Sequence, residues 1–319
     1  MPAVTLRRTG SRWRVRRYPL GRPSVAPDLF DGRHKTLGTI ALPANHTFPD
    51  SNPGTVMPTA APALGNHAKA ELDGSTATPQ RSRIVVYDAA TREQPWWPTS
   101  PVPGEHPAAH IAYGDGTRLR ARATLLTPTL IDTGEETWRS TVFYLPGPQV
   151  QATRYATADT SPYDWFGAAE VYGPPWNGSP PMSTGIKRDA AGQVCLDMYP
   201  GVLRVPIATD CWHELVVHTI HSPSPTVGLV EVWLDGVRQT LALPASASNY
   251  NRTGQQLLDG GRTLRCATML ADATGPESLR TMLYRSADPA ITWWGRSAEP
   301  AIFHLGAKVG TTRAHVSAA

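Results

Sequence analysis

The strongest periodic signal is a strict alternation of side chains over residues 212–221 and 229–234, joined by a polar connection at 222–227. In the first run Glu214, Val216, His218 and Ile220 share one face, and His213, Leu215, Val217 and Thr219 the other. In the second, Leu229, Glu231 and Trp233 oppose Val230, Val232 and Leu234 before Asp235-Gly236 turns the chain. This predicts an antiparallel hairpin spanning 211–236. Similar short runs recur at 83–88, 108–113, 117–126, 137–145, 166–172, 193–199, 202–207, 239–243, 263–270, 279–285 and 301–305, separated by turn residues. About a dozen such strands predict an all-β, two-sheet antiparallel sandwich of the jelly-roll kind. One helical turn is expected around 276–282, with Thr274 as its cap and Glu277 in its first turn.

Toward the N-terminus the pattern weakens. Residues 3–20 alternate loosely, with Trp13, Val15 and Arg17 on one side and Arg14, Arg16 and Tyr18 on the other, which reads as an extended arm. Residues 43–80 hold Pro43, Pro49, Pro53, Pro58, Pro62 and Pro79 among small polar residues and read as a surface connector. The expected division is an arm at 1–42, a connector at 43–80 and the sandwich at 81–319.

Composition agrees with strands and turns, since 31 prolines and 27 glycines disfavour a helical fold. Charge is distributed unevenly. The net charge is +4, yet Arg7, Arg8, Arg12, Arg14, Arg16, Arg17 and Arg22 crowd the first 24 residues without an acid, so the remainder is slightly acidic. The basic balance therefore belongs to the arm and gives no reason to expect a specific nucleic-acid partner. Cys195, Cys211 and Cys266 lack CxxC spacing and are expected to be buried free thiols. No apolar segment follows the basic start as a signal peptide would require, and no apolar span is long enough to cross a membrane.

Certain stretches carry a resemblance. Trp212-His213-Glu214-Leu215-Val216-Val217-His218 with Gly228-Leu229-Val230-Glu231-Val232-Trp233-Leu234-Asp235-Gly236 resembles the hairpin of concanavalin-like jelly rolls, in particular their polysaccharide-lyase-like and laminarinase-like branches. Ala169-Glu170-Val171-Tyr172-Gly173 and Leu279-Arg280-Thr281-Met282-Leu283-Tyr284-Arg285, followed by Ala301-Ile302-Phe303-His304-Leu305-Gly306, resemble its groove strands and closing strand. In such lyases the resemblance implies a Gln-x-His pair and a Tyr on neighbouring strands with an Arg nearby. Here Glu170, Tyr172, Tyr284 and Arg285 occupy those places, with Arg139 as a possible basic partner. A glutamate in place of the amide repels a uronate, which argues for binding over elimination. No Glu-x-Asp-x-x-Glu strand motif for glycosidase chemistry occurs, although Glu214 and Glu231 are candidates to face each other across the hairpin.

Aromatic residues are the other candidates for sugar contact, because sugar rings stack on them. Trp96, Trp97, Tyr163, Trp165, Trp293 and Trp294 are such candidates, and the expected glycan-binding set is Tyr172, Trp176, Trp233, His218 and Tyr284. His213, His218 and His221 divide between strand faces, so no metal site is expected; no cofactor is expected either, and although calcium is common on this fold no acidic loop here calls for it. The overall expectation is a bacteriophage virion protein, a minor tail or tail-tip component whose sandwich binds host-surface glycan. Its basic arm, carried by Arg7, Arg8, Arg12, Arg14, Arg16 and Arg17, would join other virion proteins, with the chain present in many copies or as a homo-oligomer. It would be made in the host cytoplasm. The alternatives are a polysaccharide-degrading enzyme of the same fold, lyase or glycoside hydrolase, and a capsid decoration protein.

Overall fold

A computed structural model describes residues 3–9, 12–18, 26–41, 55–57, 62–73, 82–112, 120–128, 131–147, 166–173, 180–189, 191, 193–199, 201–243, 254–273, 275–286 and 301–317. Among them the alternating runs assemble into two large antiparallel sheets. The first runs in the order β18 (Gln256–Leu258), β19 (Thr263–Arg265), β16 (Leu229–Leu234), β15 (Trp212–Ile220), β10 (Glu136–Tyr144), β21 (Ala301–Gly310), β8 (Ala108–Ile111), β7 (Arg83–Val86) and β4 (Gly38–Ala41). Two short strands, β17 (Val237–Arg238) and β3 (Phe30–Asp31), add to β16 and β21. The second sheet runs β14 (Leu203–Pro206), β13 (Val194–Tyr199), β12 (Met182–Arg188), β11 (Phe166–Tyr172), β20 (Ser278–Ser286), β9 (Arg120–Leu126), β6 (Lys69–Asp73) and β5 (Thr55–Met57). The fold is the all-β sandwich expected.

The core forms where the alternation turns apolar residues inward from both sheets. Leu215, Val217, Val230 and Val232 of the hairpin share one buried cluster with Leu125, Ile186, Leu196 and Leu283 of the second sheet. Burying each such side chain contributes roughly 1.5–3 kcal/mol. The opposite face of the hairpin packs on a short helix, α1 (Arg313–Val316), through Val216, Trp233 and Val316. The Asp235-Gly236 turn is formed as read, with φ of 50° and 74° at the two residues.

Four expectations change. Residues 276–282 are not helical: Ser278–Ser286 is β20, and Glu277 bridges Ile131. The decisive pattern there is period two, because Leu279 and Leu283 enter cores while Arg280 pairs across the strand with Glu170. The expected arm and connector also supply sandwich strands, since β3 and β4 pair in the first sheet and β5 and β6 in the second. Ile40, Ala70 and Leu72 enter the main core, which offsets the ordering of these proline-flanked pieces. Of the cysteines, Cys195 and Cys266 are buried free thiols, but Cys211 is only half-buried.

The backbone of the basic segment is a hairpin, not one extended strand. β1 (Ala3–Thr9) and β2 (Arg12–Tyr18) pair antiparallel from Ala3↔Tyr18 to Thr9↔Arg12. They form a sheet separate from the other two, with β1 against β15.

Candidate functional site

The outward face of the second sheet concentrates the chemistry. On β6, β9 and β20 the inward positions are Ala70, Leu72, Ala123, Leu125 and Leu283, which leaves Glu71, Arg122, Arg280 and Tyr284 on the other side. Glu170 of β11 stands directly opposite Arg280 of β20, and Tyr284 opposite Arg122 of β9. Cross-strand neighbours of this kind are within reach of long side chains.

These groups are joined in one network. Arg280 Nη1 donates to Glu170 Oε1 at 2.9 Å and lies 3.8 Å from Glu71 Oε2. Arg122 Nη1 donates to the same Glu71 Oε2 at 2.9 Å, and Lys69 Nζ lies 3.6 Å from Glu71 Oε1. The Arg122 guanidinium sits over the Tyr284 ring, 5.1 Å from its centroid. Glu71, Glu170 and Arg280 are all buried. Burial pushes the Glu170 carboxyl up, while Arg280 and Arg122 pull it down and Glu71 pushes it further up; the upward influences win.

The repulsion expected of Glu170 toward an anionic sugar is therefore offset by its own partner. Arg280 joins Glu170 through a register that brings together positions 110 residues apart. Tyr284 lies at the network, its ring under the Arg122 guanidinium. Tyr172 and Arg285 lie on the strands β11 and β20, beside Glu170 and Tyr284 in sequence, with their side chains outside the described residues. Trp176, Tyr163, Trp165, Trp293 and Trp294 also lie outside the described residues.

Other expected residues are elsewhere. His218 and Trp233 lie on the outer face of the first sheet, so they cannot form one site with Tyr284. His218 is held by Glu231 at 2.9 Å and Glu136 at 2.7 Å and stacks on Trp138, with ring centroids 4.2 Å apart. Trp233 is buried, between Arg238 and Arg313. A β16 residue that alternation puts opposite the core is still covered when a helix packs on it. Glu231 pairs with His218 and not with Glu214; the latter accepts hydrogen bonds from Ser140 at 3.2 Å and Ser317 at 2.7 Å. Trp97 is fully enclosed among Tyr87, Trp96 and Phe303.

Arg139 does not join Tyr284 either. It faces the space between the sheets, lining a small cavity that Glu170 also lines, with Thr141, Thr184, Val217 and Leu279. Burial pushes the Arg139 guanidinium down to about 10 against the pull of Glu277, while burial pushes the Glu277 carboxyl up to about 7. Sequence reading also missed a group of buried histidines. His34 and His67 stack with centroids 5.3 Å apart, and His110 meets His304 edge-on at 4.8 Å. They come from four separated segments, so no local spacing announces them. Among the described residues no group of three or more His, Cys, Asp or Glu side chains is arranged to hold a metal.

No protein-family model and no curated protein matches the chain. Solved structures do resemble it. An endo-β-1,4-glucuronan lyase from the fungus Trichoderma reesei is similar over 73% of this chain and 90% of that one, with 14% identity and a TM-score of 0.47. A GH131 β-glucanase catalytic domain from Podospora anserina is similar over 74% and 81%, with 9% identity and a TM-score of 0.41. The PL-14 alginate lyase from Aplysia kurodai is similar over 72% and 87%, with 12% identity and a TM-score of 0.36.

Proposed function

We propose that this chain is a polysaccharide-degrading protein that takes an anionic glycan on the outer face of its second sheet. The observation that carries the reading is the Glu170–Arg280 pair beside the Arg122–Tyr284 stack. Pairing neutralises the glutamate that would otherwise repel a uronate, and the neighbouring phenol lies under a guanidinium. A phenol beside a cation is suited to exchange a proton with a sugar carbon or leaving oxygen. Elimination at a uronate would thus use Tyr284 as the proton-transfer group and Arg122 as the charge that stabilises it.

The test is incubation of the purified full chain with glucuronan, alginate and neutral β-glucans. Unsaturated products from a uronate polymer, lost in Tyr284→Phe, support the reading. New reducing ends without unsaturation would replace elimination by hydrolysis. Binding without any product would leave a glycan-binding module in place of an enzyme.

A second reading is favoured by the separate N-terminal hairpin with its six arginines on β1 and β2. Such a basic two-stranded element suits attachment to a larger acidic assembly, and a bacteriophage tail tip or capsid surface is the setting proposed for it. Removing residues 1–24 and finding unchanged incorporation into particles would sink this reading while leaving the glycan reading untouched.

A further inference from the structure

Four buried imidazoles meet where two N-terminal segments close one side of the sandwich. β4 is the last strand of the first sheet, and β6 and β5 end the second, so residues 26–41 and 62–73 cap neighbouring edges of the two sheets. The first segment is tied to β21, where Gly32 N–H donates to the Ala307 carbonyl at 2.8 Å and Leu29 N–H to the Val309 carbonyl at 3.2 Å. The second is tied to β9, where Ala68 N–H donates to the Leu126 carbonyl at 2.8 Å. His34 and His67 belong to these segments. His110 of β8 and His304 of β21 belong to the body of the first sheet and point inward, because their strand partners Ile84, Ile302 and Phe143 are core residues.

The cluster holds more polar atoms than partners. His67 Nδ1 donates to the Leu64 carbonyl at 3.0 Å and His110 Nδ1 to the Ala123 carbonyl at 3.1 Å, which leaves Nε2 as the bare acceptor of each neutral ring. Those two Nε2 atoms, and both nitrogens of His34 and His304, have no hydrogen-bond partner among the described residues. His34 and His304 lean toward the backbone of Ala63 and Met282 without completing a bond. What faces each ring is chiefly another ring. His34 meets the charges of His67, His110 and His106 as these titrate, His110 those of His304 and His67, and His304 that of His34, while Phe30 packs edge-on against His67. The carboxylates closest to His34 along the backbone are taken by Arg33, which holds Asp31 at 2.6 Å and Glu105 at 3.4 Å. A first proton therefore enters without a counter-charge, and a second would sit on a ring whose centroid is 4.8 or 5.3 Å from the first. Burial first, then the neighbouring imidazole, holds His34 and His110 well below the ordinary histidine value.

We propose that this histidine seam is an acid-operated latch: with the rings neutral it holds residues 26–41 and 62–73 against β8, β9 and β21, and in mild acid those segments open together while the central hairpin stays folded. Opening brings the four rings to water, where they take up the protons that the closed seam excludes. Segments of this kind open below the free energy of global unfolding when they sit at an edge. β6 carries Glu71 and Lys69, so the opening also takes both away from Arg122 and Arg280 on the second sheet.

Hydrogen exchange of the full chain at about pH 7 and about pH 5, read by mass spectrometry on peptides and corrected for the intrinsic pH dependence of exchange, tests the latch. Each histidine exposed by opening multiplies the open population by up to about tenfold per pH unit below about 6.5. The expected result is a fall in protection of more than about 100-fold in 26–41 and 62–73, which at the lower pH leaves them at least about 100-fold less protected than Trp212–Ile220. Equal protection of these segments and the hairpin at the lower pH overturns the proposal, since one global unfolding then accounts for both. Protection of the segments that does not fall between the two pH values overturns it as well. In His67→Gln one of the four protons is gone, and the fall in the segments should be at least about fivefold smaller than in wild type. A merely structural His67 would alter protection equally at both pH values, so an unchanged fall counts against the latch. Where that variant does not fold, the comparison of segments within the wild-type chain decides.

Discussion

Arg280 Nη1 and Glu170 Oε1 meet at 2.9 Å across directly paired positions of neighbouring strands, both side chains buried. A buried pair is balanced only while both members remain, because Glu170 without Arg280 is a desolvated carboxylate. Arg280→Met is therefore expected to lower stability by about 3–5 kcal/mol. Adding Glu170→Gln to it should recover a large part of the loss. Urea unfolding of the two single variants and the double variant checks this, with additive effects as the contrary result.

Acid should destabilise the fold above the range where carboxylates titrate. His34, His67, His110, His221 and His304 are buried and held below the ordinary histidine value by burial first; His67 falls to about 4, and His221 and His304 to about 3. The unfolded chain takes up these protons near pH 6.5 while the folded chain does not, so stability is present above that pH and lost as pH falls through it. Each such histidine adds a slope of up to about 1.4 kcal/mol per pH unit. A urea midpoint unchanged between pH 7 and pH 5 would falsify this.

The alkaline side is governed by His213. Its folded value, raised to about 10, gives stability that is complete below about pH 6.5 and disappears as pH rises toward 10. Asp235→Asn keeps a residue tolerant of the turn's positive φ but removes the carboxylate that holds the imidazolium. Its stability should be lower than wild type at neutral pH and flatter between pH 7 and pH 9, as read by thermal melts.

Gly306 interrupts β21 where its pairing with β10 shifts between Thr141 and Phe143. Its φ is 100°, and a Cβ there would collide with the Gly32 carbonyl oxygen. Gly306→Ala should cost more than about 2 kcal/mol, because strain and a backbone collision add. Chemical denaturation measures it, and a cost under about 0.5 kcal/mol would show that the bulge relaxes freely.

Trp233 and Trp97 should affect stability without affecting glycan capture. Trp97→Ala is expected to cost about 3–5 kcal/mol, given its full burial. Trp233→Ala removes a residue packed beneath α1 on the sheet away from Tyr284. Affinity electrophoresis in a uronate polymer should show Trp233→Ala migrating like wild type, and a loss of retardation would move the site to the first sheet.

How much of this was legible differs between residues. The hairpin at 211–236 could be read because successive Cβ atoms on a strand point to opposite sides, so a period of two reports a half-buried strand without knowledge of its neighbours. The same rule, applied to Leu279, Thr281 and Leu283, points to the strand that stands where a helical turn is expected. Short apolar runs leave that choice open. Met182, Thr184 and Ile186 of β12 carry the pattern as well, but Ser183 and Gly185 between them make it weak.

By itself, the sequence determined the fold class, the central hairpin and its two faces, and the strand that carries Glu170. Only the tertiary structure decided which outer face meets a helix, burying Trp233, and which partner neutralises Glu170. It also gathered His34, His67, His110 and His304, and set Cys211 against His213 and Asp235. Faces follow from local backbone geometry, whereas partners follow from register and loop closure between distant segments, which the packing of the whole sandwich selects.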